Sequence, residues 1–281
     1  MPVYEQTYRH YEAREALRQT RFWPITREAL RLVLSRRAFV VLLMGAWLPF
    51  AGFSIYLYVL TQTQLGPMAQ VLPVGGPLYL RFYAWQMPIA FVLTTFAASG
   101  LVANDRRTGA LVVYLSRPLT RRDYVVGKLA VPLLLTLFVT AVPALLLYLV
   151  GLALVPSLLL TRAHAWLAPS VAVQGLLVSV TISLVALAVS ALSKSARAAG
   201  LAFFGLLMML DVVQGVLQEI YDKPYFALLS PQANLRLLGE AMLGGPAPAL
   251  PWYLPALVLA ATGAACLLVL RRQVRAVEIV T

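Results

Sequence analysis

The residues best equipped for chemistry in this chain gather between two apolar runs, in the segment N-D-R-R-T-G-A-L-V-V-Y-L-S-R-P-L-T-R-R-D-Y-V-V-G-K from Asn104 to Lys128. Asp105, Arg106, Arg107 and Thr108 open it; Thr120, Arg121, Asp123, Tyr124 and Lys128 close it. The chemistry on offer is binding and force transfer rather than catalysis. Gly127-Lys128 is the only Gly-Lys pair. A phosphate-cradling loop would need Ser or Thr next and a Gly five positions before, but Leu129 and Arg122 stand there. His10 and His164 are far apart in sequence, whereas a zinc site needs clustered ligands. Paired carboxylates are missing from the apolar runs. No residue is therefore assigned a catalytic role, and none a metal.

Outside that segment, Asp211 is the acidic residue deepest in an apolar run. An ionisable group inside a membrane is a functional candidate, which makes Asp211 a candidate intramembrane polar site. The plainer reading, taken here, ends that span near Met209 and leaves Asp211 at the outer interface. Gly175, Ser179 and Ser183 recur every fourth residue. That spacing gives one face of small residues, suited to close helix packing.

The elements that must position these residues are dictated by solvent. Of the 281 residues 60% are hydrophobic and 12% charged, against about 25% charged in an average soluble domain, and mean hydropathy is +0.79. A water-soluble fold could not cover so much apolar surface, whereas a bilayer makes that surface an asset. Six runs reach the length of a spanning helix: about Ala38 to Leu60, Leu80 to Ala103, Tyr124 to Val155, Trp166 to Leu192, Ala196 to Leu217 and Trp252 to Leu270. Pro88, Pro132 and Pro143 fall inside them as kink points. The expected fold is an all-α integral membrane protein of six transmembrane helices. Residues 1–37 form a cytoplasmic N-terminal segment, 38–271 the membrane domain and 272–281 a cytoplasmic tail. The outer loop covers 214–251 and contains a periodic stretch from Tyr225 to Leu243, expected as short helices at or just outside the outer surface.

Net charge is +12. In a soluble protein this would raise nucleic acid as a partner. Here the charges sit between apolar runs and read as topology signals, so no nucleic-acid partner is expected. Only Arg81, Arg162, Lys223 and Arg236 fall on one side; the rest of the 23 Lys and Arg residues fall on the other. The positive-inside rule then places both termini in the cytoplasm. Cys266, the single cysteine, lies in an apolar run and excludes an internal disulfide. The polar first 37 residues do not resemble a cleavable leader.

Two cytoplasmic elements follow from local physics. Between Phe22 and Arg37, Ile25, Ala29, Leu32 and Val33 share one helical face, Arg27 and Arg31 lie opposite, and Pro24 suits a first turn. This predicts an amphipathic helix at the membrane surface, with Trp23, Arg27, Arg31, Arg36 and Arg37 as its lipid-facing residues. Between spans two and three, Ala110 to Leu115 is apolar but too short to cross. Pro118 pushes Arg117 out of helix and ends the element. Thr120 and Asp123 form a capping signal for the next helix. A short helix clamped between two spanning helices transmits force, as a long flexible loop would not.

On these residues the sequence resembles the ABC-2 type permeases, the six-span membrane subunits of ATP-binding-cassette exporters. Those proteins carry an acidic residue, Gly-Thr-Leu, a hydrophobic helix, Pro followed by a basic residue, and Gly-Lys. Asp105 stands where Glu is usual. Gly109, Ala110 and Leu111 stand for Gly-Thr-Leu. Pro118 precedes Thr120 and Arg121, and Gly127 and Lys128 close the pattern. The resemblance implies a coupling helix within 104–124 that docks on a separate ATPase subunit, with ATP and Mg bound there and no cofactor in this chain. It also implies a connector helix before span one, a dimer of permeases and export across a prokaryotic cell membrane. The alternative keeps the same docking segment but has the subunit pass the ATPase stroke to an extracytoplasmic partner through the outer loops, with no cargo crossing.

Overall fold

The computed structural model describes residues 22–62, 75–110, 120–154, 166–245 and 250–274. Among these residues every regular element is a helix. In chain order they are α1 (Trp23–Leu34), α2 (Arg37–Gly45), α3 (Leu48–Gln62), α4 (Gly76–Ala98), α5 (Ala103–Arg107), α6 (Arg121–Val139), α7 (Ala141–Leu154), α8 (Leu167–Leu192) and α9 (Ala196–Tyr221). A 3-10 helix (Pro224–Leu229), α10 (Pro231–Leu243) and α11 (Tyr253–Gln273) complete the order. Six stretches are long and apolar enough to cross a membrane: Arg37–Thr61, Gly76–Arg107, Arg121–Leu154, Leu167–Leu192, Ala196–Tyr221 and Tyr253–Gln273. The sequence reading gave the same six, with ends that differ by up to four residues.

Proline explains two breaks. Pro49 has no N–H to offer the carbonyl of Gly45, and the first span divides into α2 and α3 there. Pro143 leaves the carbonyl of Val139 unserved in the same way, and the third span breaks at Thr140 between α6 and α7. The Thr140 hydroxyl turns back to the carbonyl of Thr136 at 2.8 Å. Pro88 is accommodated within the continuous α4.

The bundle is organised around α8, which packs against α4, α6, α7, α9, α10 and α11. Its span is 67% buried, whereas spans one, five and six are only 11%, 22% and 17% buried. The small-residue face of α8 meets the α6–α7 junction. A Cβ on Gly175 would lie 2.7 Å from Ala141 Cα, so glycine sets how closely these helices approach. Ser179 and Thr140 share a hydrogen bond of 2.9 Å, and Ser183 is fully buried. Thr94 and Thr136 join α4 to α6 at 3.1 Å, and Tyr83 donates to the carbonyl of Val171 at 2.7 Å. In lipid such bonds contribute about 0.6 kcal/mol each, because polar groups also find partners in the unassembled state.

Three features refine the sequence reading. Helix α9 runs on to Tyr221, where Asp222 caps it in the left-handed conformation (φ 48°). The helix therefore continues past Met209, and Asp211 lies within it. Residues Gly76 to Tyr79, which the sequence reading left before the second span, already belong to α4. The stretch expected as short helices in the outer loop forms the 3-10 helix and α10, and α10 packs among α4, α8 and α11. Leu235 and Asn234 are buried there. Gln174 of α8 donates to the carbonyl of Leu235 at 2.8 Å. Ser230 caps α10 by accepting from Ala233 N–H and donates to Asp211 at 3.0 Å, tying the loop back to α9.

Candidate functional site

The site is assembled at the end of the bundle where α4 stops and α6 begins. Ser190 of α8 fixes the first side. Its hydroxyl accepts from the N–H groups of Val102 and Ala103, at 3.3 and 3.2 Å, and donates to the carbonyl of Ser99 at 2.8 Å. One hydroxyl thus joins the end of α4 and the start of α5 to α8. Arg106 adds a bond to the carbonyl of Ala191. Thr108 folds back on the carbonyl of Asn104 at 2.9 Å, and Gly109 follows with φ +70°, a conformation that glycine adopts without strain.

The second side is set by the α6 cap. Thr120 accepts from Asp123 N–H at 3.2 Å, while Asp123 accepts from Thr120 N–H at 3.0 Å and from its hydroxyl at 2.8 Å. This is the capping box read from the sequence. Tyr124 and Lys128, one turn apart, then point to the same place. Tyr124 donates to Asp105 at 2.8 Å, and Lys128 Nζ lies 2.6 Å from the same carboxylate oxygen. The ammonium also sits 5.6 Å from the centre of the Tyr124 ring. Lys128 is 5% exposed. A lysine so deep is held by charge pairing, because burying it alone would be very costly. Val274 at the end of α11 packs on Tyr124 and completes the wall.

Helix α1 closes the arrangement. Ile25, Thr26, Ala29 and Val33 are buried, and Thr26 donates to the carbonyl of Gly127 at 2.9 Å. A Cβ on Gly127 would lie 2.9 Å from the carbonyl oxygen of Phe22, so this position admits α1 only as glycine. Leu32, read on the same helical face as Ile25, Ala29 and Val33, is 59% exposed. Thr26 takes a place on that face instead, because its hydroxyl has a carbonyl to meet. Trp23, Arg27, Arg31, Arg36 and Arg37 are all exposed.

The sequence-derived residues thus fall into two groups. Asp105, Tyr124, Gly127 and Lys128 form a partly or fully buried frame. Arg106, Arg107, Thr108, Gly109, Thr120 and Arg121 are exposed around it, with Asp123 half-buried. Leu111, Arg117 and Pro118 lie outside the described residues, as do His10 and His164. Ser190 and Thr26 were missed, since a lone hydroxyl in or beside an apolar helix gives no local signal. The Tyr124–Lys128 spacing was a usable signal, being two polar groups on one helical face pointing back toward the single acidic residue at the other side of the loop.

Fold and site together define a multi-pass membrane protein whose spans carry, at one end, a tied and cationic inter-span segment. The family model described as ABC-2 family transporter protein matches residues 9–270, and the chain belongs to that family. No curated protein matches the sequence.

Proposed function

We propose that this chain is the permease subunit of an ATP-binding-cassette exporter, driven by a separate ATPase that docks on residues 104–124. The observation that carries the reading is the Asp105–Tyr124–Lys128 cluster, which ties both ends of that segment to one spanning helix. Force applied to the exposed Arg106, Arg107, Thr108 and Arg121 would pass directly into α4 and α6. The chain itself carries out no hydrolysis in this reading; ATP and Mg belong to the partner. The docking end faces the cytoplasm of a prokaryotic cell, with α1 as a connector at the inner membrane surface. Two permeases form the working unit.

The test is co-purification followed by hydrolysis. The full chain, isolated from its native membrane in mild detergent, is expected to retain an ABC ATPase. Charge reversal at Arg106 and Arg121 should release it, while the variant permease remains folded by its thermal transition. Nucleotide binding by the purified chain alone, or undiminished retention by the variant, would refute the assignment. The alternative, transmission of the stroke to an outer partner, draws support from α10, which is packed among three spans and bonded to α9 through Asp211 and Ser230. Movement of the spans would then be carried to the outer face. Uptake of cargo into inverted vesicles on addition of ATP decides for transport.

A further inference from the structure

Two cavities meet at the same end of the bundle as the docking segment, but on its flank. One, of about 450 Å3, is polar and is lined by Asn104, Arg107, Ser195 and Arg197. The other, of about 590 Å3, runs along the seam of α4 and α9 between Val92, Phe96, Leu201 and Phe204, with Arg36 at its mouth. Ala196 and Arg197 belong to both, so the two form one polar-to-apolar path. Each has the size of a small-molecule pocket, roughly 300–1,000 Å3. Gly200 lies in the floor of the apolar part, where a Cβ would come 3.2 Å from Thr95. Phe96, Leu201 and Phe204 are exposed along this seam.

Charge decides the occupant. The ion pairs among the described residues are Asp105–Lys128 and Arg236–Glu240. They leave Arg36, Arg107 and Arg197, all exposed, with no carboxylate partner among those residues. Two guanidiniums on the apolar slot, Arg36 and Arg197, with Arg107 in the polar cavity that adjoins it, fit an amphipathic anion. Arginine forks suit a phosphate diester, and an apolar slot within a spanning bundle suits an acyl chain. We propose that this path holds one anionic phospholipid from the leaflet on the α5 side, its phosphate between Arg36, Arg107 and Arg197 and one chain along the α4–α9 seam. The proposal rests on the membrane reading of this end, but needs neither an ATPase nor a direction of transport.

The test uses the full chain in phosphatidylcholine nanodiscs containing a minor fraction of phosphatidylglycerol, with native mass spectrometry counting the lipid retained after mild detergent release. The wild type should keep phosphatidylglycerol in preference to phosphatidylcholine. Arg36→Gln combined with Arg197→Gln should weaken that preference by roughly fivefold per guanidinium removed, while Arg36→Lys with Arg197→Lys should keep most of it. Arg271→Gln with Arg272→Gln removes the same charge from the end of α11 and should leave retention unchanged. Equal loss in that pair would overturn the site in favour of diffuse surface attraction, and undiminished retention in the Gln pair would overturn it outright. Displacement of the lipid by soluble glycerol 3-phosphate would overturn the role given to the apolar seam. Because the assay contains no ATPase, its failure is separable from failure of the docking assignment.

Discussion

Asp105 and Lys128 illustrate what a single pair can decide. Removing the carboxylate leaves an ammonium buried beside an aromatic ring, and Asp105→Ala is expected to cost about 3 kcal/mol. Replacing both, as Asp105→Ala with Lys128→Met, should recover most of that stability, since no charge then remains to be desolvated. Thermal unfolding of the four proteins of this cycle in one detergent would measure the coupling; additive losses would argue against the pair. The identities of Asp105, Tyr124 and Lys128 were legible as elements of a motif. Their meeting was not, because nothing local states that the two ends of a loop come together. The burial of Lys128 was hidden for the same reason, since only the fold supplies its carboxylate.

Helices meet where side chains are smallest, and two glycines set testable contacts. Gly127→Leu would drive a side chain into Phe22 and Ile25 of α1. The helix should detach from α6 while the bundle stays folded, so trypsin should cut faster after Arg27 and Arg31. Unchanged cleavage would mean that α1 is held elsewhere. At the other end of the bundle, a Cβ on Gly76 would overlap the carbonyl of Leu243. Gly76→Ala should therefore displace α10, and hydrogen exchange at 231–243 should rise well above that of α8. The six spans and the α6 cap were readable because apolar length and Thr-x-x-Asp are local signals. The placement of α10 was not, for its sequence is as polar as a surface helix. It is Leu235, buried in the bundle core and accepting from Gln174 of α8, that draws it in.

At the scale of the whole molecule, the reading fixes a sidedness that a labelling experiment can check. With Cys266 replaced by Ala, a cysteine at Arg107 should react with a membrane-impermeant maleimide only after lysis, and one at Trp252 should react in intact cells or spheroplasts. The reverse pattern would invert the topology and remove the docking assignment. Charge counting predicts this orientation, while the dominance of α8 was invisible to it, since every span is similarly apolar. The uneven cover of the spans has its own consequence. Where the first, fifth and sixth crossings touch so little of their own chain, hydrocarbon and the second permease of the proposed pair would supply the contacts that a core otherwise provides. Harsh, short-chain detergents should therefore loosen the molecule from its margins inward, with α2, α3, α9 and α11 becoming protease-sensitive before the α4–α6–α8 centre, and long-chain lipid added back should reverse the loss.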